Sequence, residues 1–287
     1  MRRPDPTTPG LLGLPLAWLA VFFVLPVAFV AGYSLDVFSL QPGSHPVTLA
    51  GWHDFFHTPV YLRLFWKSVQ TSLIVSAVVV ALAYPVAYYL ALSGTRRKYV
   101  LLLVLIAPFL TSYLLRVLAW KVILGNNGVL NTFIFWTGIR SPDPPVSQLL
   151  YSRFAVMLVL AYIWVPFVAL PIFVALESLD RRLLEAAADL GASRRQAFVR
   201  VTLPLSAPGV VAAFLFVFIP TVGEFVTPSL VGGTSGYLYG NQITDLFGTG
   251  FPDWRTGSVL AIFLLAVVAL LTAAFSRFLQ VRQVASS

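Results

Sequence analysis

The sequence predicts an all-α membrane protein with six transmembrane helices, and three observations carry that reading. Of its 287 residues, 58% are hydrophobic and only 10% are charged, whereas a soluble domain carries about 25% charged residues. The apolar residues are gathered in long runs, and about 20 residues of helix cross the hydrocarbon core of a bilayer. The basic residues collect in alternate connections between those runs, the arrangement that orients spans in a membrane.

The runs extend over Leu11 to Tyr33, Val69 to Leu92, Tyr99 to Leu124, Phe154 to Leu176, Val210 to Val231 and Ser258 to Phe278. Arg2 and Arg3 before the first run resemble the start of a signal peptide. The run is long for such a peptide and no small-x-small cleavage site follows, so the first span is expected to be retained. Residues 1–10 form a polar amino-terminal segment, 11–280 the transmembrane domain with a connecting loop at 177–205, and 281–287 a tail.

Charge orients these spans. One side carries Arg2, Arg3, Arg96, Arg97, Lys98, Arg181, Arg182, Arg194, Arg195, Arg200, Arg277 and Arg282; the other carries only Arg63, Lys67, Arg140, Arg153 and Arg255, over longer loops. The positive side stays cytoplasmic, so both termini are expected inside. The net charge of +8 then records topology, and nucleic acid is not an expected partner. Pro15, Pro26, Pro85, Pro108, Pro166, Pro171, Pro220 and Pro228 fall in or at the ends of the runs. Each removes a backbone donor, and freed carbonyls in a bilayer are tolerated against protein or a water-lined cavity.

Several chemistries are excluded. Without cysteine there is no disulfide, zinc ribbon or thiol nucleophile. The three lysines, Lys67, Lys98 and Lys121, have no glycine-rich phosphate-loop context, so the chain is not itself a P-loop ATPase. His53 and His57 stand four residues apart, with His45 in a Pro/Gly-rich stretch. The position after His53 is Asp rather than the Glu of a zinc protease, and an interfacial pair is the expected reading. No serine pairs with a histidine and an acid, and no metal, cofactor or enzymatic site is expected in the chain.

The loop at 177–205 is the most informative stretch. Asp180 is a good N-cap residue, and Leu183, Leu184, Ala187 and Leu190 recur at helical spacing. Gly191 accepts the left-handed conformation that ends a helix. Ser193 and Gln196 form a capping box that starts a second helix, which Leu203-Pro204 is expected to stop. A small-residue face with Arg181, Arg182, Glu185, Asp189, Arg194 and Arg195 around it suits a partner's groove. A helix lying on the bilayer would need more bulk to bury than this Ala-rich face offers.

In the fifth run, Glu224 is the one acidic residue placed inside a span, where a carboxylate is expected to face a cavity or a partner. Two readings stay open. It lines a path for a cation, with Phe225 offering cation–π contacts, or it pairs with Arg116 or Lys121 at similar depth.

The spacing Glu185-Ala186-Ala187, Gly191, Val201, Leu203 and Pro204 resembles the EAA loop of bacterial ABC importer permeases, with valine where isoleucine is usual. The stretches Gly223 to Gly233, Gly240-Asn241 with Ile243, Pro108 to Trp120, Leu124-Gly125 and Gly128 to Asn131 are similar to the spermidine/putrescine branch of that family. The resemblance runs through nearly the whole chain from the first span onward. It implies a type I importer fold in the bacterial inner membrane and a coupling helix that sits on a separate ATPase. Contact would fall to Glu185, Ala186, Ala187, Asp189 and Gly191, with Val201, Leu203 and Pro204 structural. It implies two ATP-binding subunits that hold ATP and Mg, a second homologous permease, an extracytoplasmic binding protein and surrounding lipid. Glu224, Phe225, Trp120 and Arg116 are then the candidates for the path of a polyamine. A permease for another small solute and an ion-coupled secondary transporter are the alternatives. Within the outer loop at 34–67 no resemblance is recognised.

Overall fold

All regular structure is helical in the residues described by the computed structural model, which are 8–38, 47–93, 97–137, 149–248 and 252–285. Arg2, Arg3, His45, Arg96 and Arg140, and much of the amino-terminal segment, lie outside the described residues. The helices are α1 (Thr8–Leu19), α2 (Leu25–Ser34), α3 (Ala50–His57), α4 (Pro59–Leu92), α5 (Lys98–Ile106), α6 (Tyr113–Leu124), α7 (Val129–Trp136), α8 (Arg153–Glu177), α9 (Arg181–Asp189), α10 (Arg194–Ala197), α11 (Leu203–Val222), α12 (Tyr239–Gly248) and α13 (Trp254–Ala285). Among the described residues five helical stretches are long and apolar enough to cross a membrane, and a bent pair makes a sixth. The six-span all-α fold read from the sequence is therefore present.

The chain forms two compact units, Met1–Arg63 with Gln242–Gln280 and Leu64–Asn241 with Val281–Ser287. In the first, Arg255 at the start of α13 donates to Asp36 (3.2 Å) and Asp54 (3.0 Å). Phe55 of α3 is fully buried, with its ring against Phe263 (4.8 Å) and Tyr61 (6.0 Å). The loop at 34–67 thus contains a helix whose anchor, Arg255, comes from the far end of the sequence.

The second unit is built around α8. Ser152 caps it by accepting from the Ala155 amide at 3.1 Å. Val156, Val159, Leu160, Ile172 and Leu176 along its length are fully buried. Helix α11 packs directly on α8. A side chain at Gly209 would overlap the methyl of Ala175 and lie 3.1 Å from the Pro171 carbonyl oxygen. Small residues let helix backbones approach this closely, and close approach is what packs helices together in lipid.

Three spans differ from the sequence reading by more than a few residues, each for a local reason. The second span begins at Pro59, because the partly polar turns around Arg63 and Lys67 remain helical. The third is broken: the stretch Lys98–Leu110 meets Tyr113–Trp136 at 84°. Pro108 lacks an amide to continue the ladder, and Thr111 is extended. The fifth is displaced toward the amino terminus and runs unbroken over Arg194–Val222, ending just before Gly223 and Glu224.

Leu203 and Pro204 therefore do not stop a helix. A wide π-type turn spans Phe198–Thr202, and Pro204 follows it in the first turn of α11. Another spans Ala20–Val24, with Pro26 two residues later. In such a turn carbonyls bond five residues on. The carbonyl that a proline would meet four residues back is thereby redirected, and the helix passes through both prolines.

Candidate functional site

Two places in the second unit collect the residues singled out in the sequence. The first is the 177–205 loop. Asp180 accepts from the Arg182 amide at 3.0 Å, capping α9. At its other end Gly191 has φ +79°. The Gly191 amide donates to Ala188 and the Ala192 amide to Ala187, both at 2.9 Å, the paired closure that a left-handed residue permits. The capping box is complete: the Ser193 amide donates to Gln196 Oε1 (2.8 Å) and the Gln196 amide to Ser193 Oγ (3.3 Å).

These caps are local, so α9 is shaped by its own sequence, and it buries no residue in this chain. Leu184 and Ala187 turn partly inward; Glu185, Ala186, Asp189 and Gly191 are exposed. Leu190 is 89% exposed, an apolar side chain with no cover among the described residues. The second half of the loop is anchored. The Phe198 ring stands edge-on to Tyr84 (5.9 Å) and Tyr88 (5.5 Å) of α4. The Tyr84 hydroxyl lies 3.0 Å from Ser206 Oγ. Where α8 enters the loop, Lys98 pairs with Glu177, to which the Tyr99 hydroxyl also donates at 3.3 Å. Neither Phe198 nor the Lys98–Glu177 pair stood out in the sequence, since Lys98 and Glu177 lie 79 positions apart and Phe198 lies still further from Tyr84 and Tyr88.

The second place is the break after α11. Glu224 lies beyond the helix end rather than inside a span, and its Oε1 accepts from the Thr227 amide at 3.0 Å, capping the turn that follows. Thr227 Oγ1 lies 2.5 Å from the Tyr113 hydroxyl at the start of α6, which is close to the Glu224 carboxylate. Asn241 ties the break together. Its amide nitrogen donates to Phe225 O (3.0 Å) and Ser229 Oγ (2.7 Å), while its Oδ1 accepts from the Leu238 amide (3.0 Å). Burial pushes the neighbouring Tyr239 phenol well above its ordinary range. Asn241 appeared in the sequence only as part of the resemblance.

The pairing of Glu224 with a base is not formed. The Arg116 guanidinium stacks on the Phe109 ring at 4.5 Å, and the Lys121 ammonium lies over the Tyr151 ring at 5.7 Å. The ion pairs among the described residues do not include Glu224. Trp120 stands edge-on to Tyr162 at 5.4 Å, without a hydrogen bond or ring contact to Glu224 or Phe225. Phe225 is 42% exposed. His53 and His57 stack at 3.9 Å.

Among the described residues, apolar helical stretches that make up to six spans, with a self-capped, uncovered helix between the fourth and the fifth, define a multi-span membrane protein. Residues 83–284 match the family of binding-protein-dependent transport system inner membrane components, and the chain belongs to that family. It is 36% identical over 265 residues to the spermidine/putrescine transport system permease protein PotB of Haemophilus influenzae, covering 91% of this chain and 90% of that one. It is 34% identical over 265 residues to PotB of Escherichia coli (91% and 94%). The inner membrane ABC transporter permease protein YdcU of Escherichia coli is 33% identical over 272 residues (90% and 85%). Its fold matches a solved bacterial ABC transporter involved in import of the acidic polysaccharide alginate, with TM-score 0.69 and 20% identity over 95% of this chain and 94% of that one. The ABC importer permease fold expected from the EAA-like spacing is thus the fold observed.

Proposed function

We propose that this chain is one permease subunit of an ATP-driven polyamine importer in the bacterial inner membrane. Its EAA-like loop would couple it to a separate ATPase. Likeness to two PotB proteins over about nine-tenths of their length supports the cargo assignment. The exposed helix α9 supports the coupling role: Leu190 and the small Ala186 face leave room for a groove on another protein. Glu185, Ala186, Ala187, Asp189 and Gly191 form that contact, and Leu203 and Pro204 hold the loop to α11. ATP and Mg are held by two partner subunits, so this chain performs no hydrolysis. A second, homologous permease completes the path, an extracytoplasmic binding protein delivers cargo, and lipid surrounds the assembly. The positive connections and both termini are cytoplasmic.

Glu224 and Phe225 are the residues of this chain proposed to meet the cation. A carboxylate held by one backbone amide beside an exposed aromatic ring offers fixed charge and a cation–π face. Arg116 and Trp120 border the same path from α6, with the guanidinium drawn aside onto Phe109.

The test is co-purification followed by reconstitution in vesicles with the binding protein. Spermidine or putrescine is expected to stimulate ATP hydrolysis and to accumulate inside. Purification without an ATPase, or stimulation by neither polyamine, sinks the assignment.

A further inference from the structure

At the end of the second unit remote from the coupling loop, two cations stand side by side with no acid paired to either among the described residues. Arg153 is the first residue of α8, and its 25 helical residues put it about 36 Å from Glu177 at the loop end. The Arg153 Nε donates to Thr71 Oγ1 (2.9 Å) and Nη2 to the Lys67 carbonyl (3.3 Å). The Lys67 ammonium donates to the Tyr237 carbonyl (2.9 Å) and lies within repulsive range of Arg153. Neither is within 4 Å of a carboxylate among the described residues. Lys121 adds a third positive charge over Tyr151, two residues before Arg153.

Half-buried charges of one sign are costly unless an opposite charge joins them. We propose that a carboxylate side chain of the system's extracytoplasmic binding protein seats between Lys67 and Arg153 when it docks. The occupant follows from placement. Lys67 lies on the protein-facing side of α4, one turn from buried Thr71 and next to buried Ser68, while Trp66 and Ile74 are exposed. The side of α4 that carries Trp66 and Ile74 is the one open to lipid. A polycationic cargo is repelled here. A protein carboxylate arriving from outside the bilayer matches the guanidinium in charge and geometry. The proposal rests on family membership and the orientation of the spans.

The experiment titrates purified binding protein against the whole transporter in nanodiscs and reads stimulated ATPase. Lys67→Gln and Arg153→Gln keep a donor for Tyr237 and Thr71 but remove the charge. Each is expected to raise the half-saturating concentration of binding protein about tenfold and to flatten its salt dependence, with unstimulated ATPase unchanged. Lys67→Arg is expected to retain wild-type half-saturation. Size-exclusion profiles and unstimulated ATPase screen out misassembled variants, leaving Lys67→Gln as the milder arm should Arg153→Gln fail to assemble. Unchanged half-saturation in both Gln variants overturns the proposal. So does a defect that follows the phosphatidylglycerol content of the disc rather than the binding protein, which assigns the site to lipid phosphate. If stimulation is absent in the wild type with every polyamine, the cargo reading fails, and docking is then read directly by binding-protein pull-down.

Discussion

The hydroxyl of Tyr84 lies 3.0 Å from that of Ser206, and the same tyrosine ring backs Phe198. One residue of α4 thus holds both the wide turn after α10 and the first turns of α11. If the loop couples to an ATPase as proposed, this contact is where a push on its exposed part would reach a transmembrane helix. Tyr84→Phe keeps the ring and removes the buried hydroxyl pair, at an expected cost of about 1 kcal/mol. Thermal unfolding of the purified chain should fall by about 2–4 °C. Phe198→Ala removes the wedge itself and is expected to leave ATP hydrolysis running while cargo accumulation fails, a split read by measuring both in the same vesicles.

Gly191 can be tested without touching any neighbour, because a side chain there meets nothing within 4 Å. Its φ of +79° is the whole difficulty. Gly191→Ala should cost about 1–2 kcal/mol from left-handed strain and loosen the α9 terminus. Gly191→Asn, which tolerates that conformation, should retain most function. Stimulated ATPase is expected to rank wild type, then Asn, then Ala, with Gly191→Pro inactive. Equal activity in Asn and Ala variants argues against a conformational role.

The parts legible in the sequence are those set by neighbours in the chain. Asp180, Gly191, Ser193 and Gln196 act within a few residues, so their caps could be read and are present. The reach of hydrophobic runs also gave the six spans. Misplaced boundaries share a cause: hydropathy does not change where the backbone does. Residues after Val222 stay apolar although α11 has ended, so Glu224 was placed inside a helix. Residues on both sides of Pro108 are apolar, so an 84° bend passed as one span. Pro204 misled in the opposite direction, because a wide turn ahead of it is invisible to a rule about proline alone. Phe198, Lys98 with Glu177, and Asn241 act through distant partners, and no local pattern announces them.

Gly209 predicts where packing tolerates no addition. A methyl there overlaps Ala175, and both belong to long apolar helices. Gly209→Ala should separate α8 from α11, lower the unfolding temperature by several degrees and reduce assembled transporter. Ala175→Gly in the same chain opens the space and is expected to recover part of the loss. A second-site rescue of this kind separates a steric clash from a general intolerance of side chains at position 209.

Glu224 has two separable tasks, since its carboxylate caps Thr227 and is proposed to meet cargo. Glu224→Gln keeps an oxygen acceptor for the Thr227 amide and discards the charge. Glu224→Ala discards both, adding a capping loss of about 1 kcal/mol. If the charge attracts a polyamine, the Gln variant should assemble and unfold like the wild type yet take up spermidine about tenfold more slowly, a loss consistent with one cation contact in a partly desolvated site. The Ala variant should share that transport defect and unfold earlier. Glu224→Asp retains charge on a shorter arm and should fall between wild type and Gln in uptake. Wild-type uptake by the Gln variant would leave Glu224 a structural cap and move the cation contact to another residue.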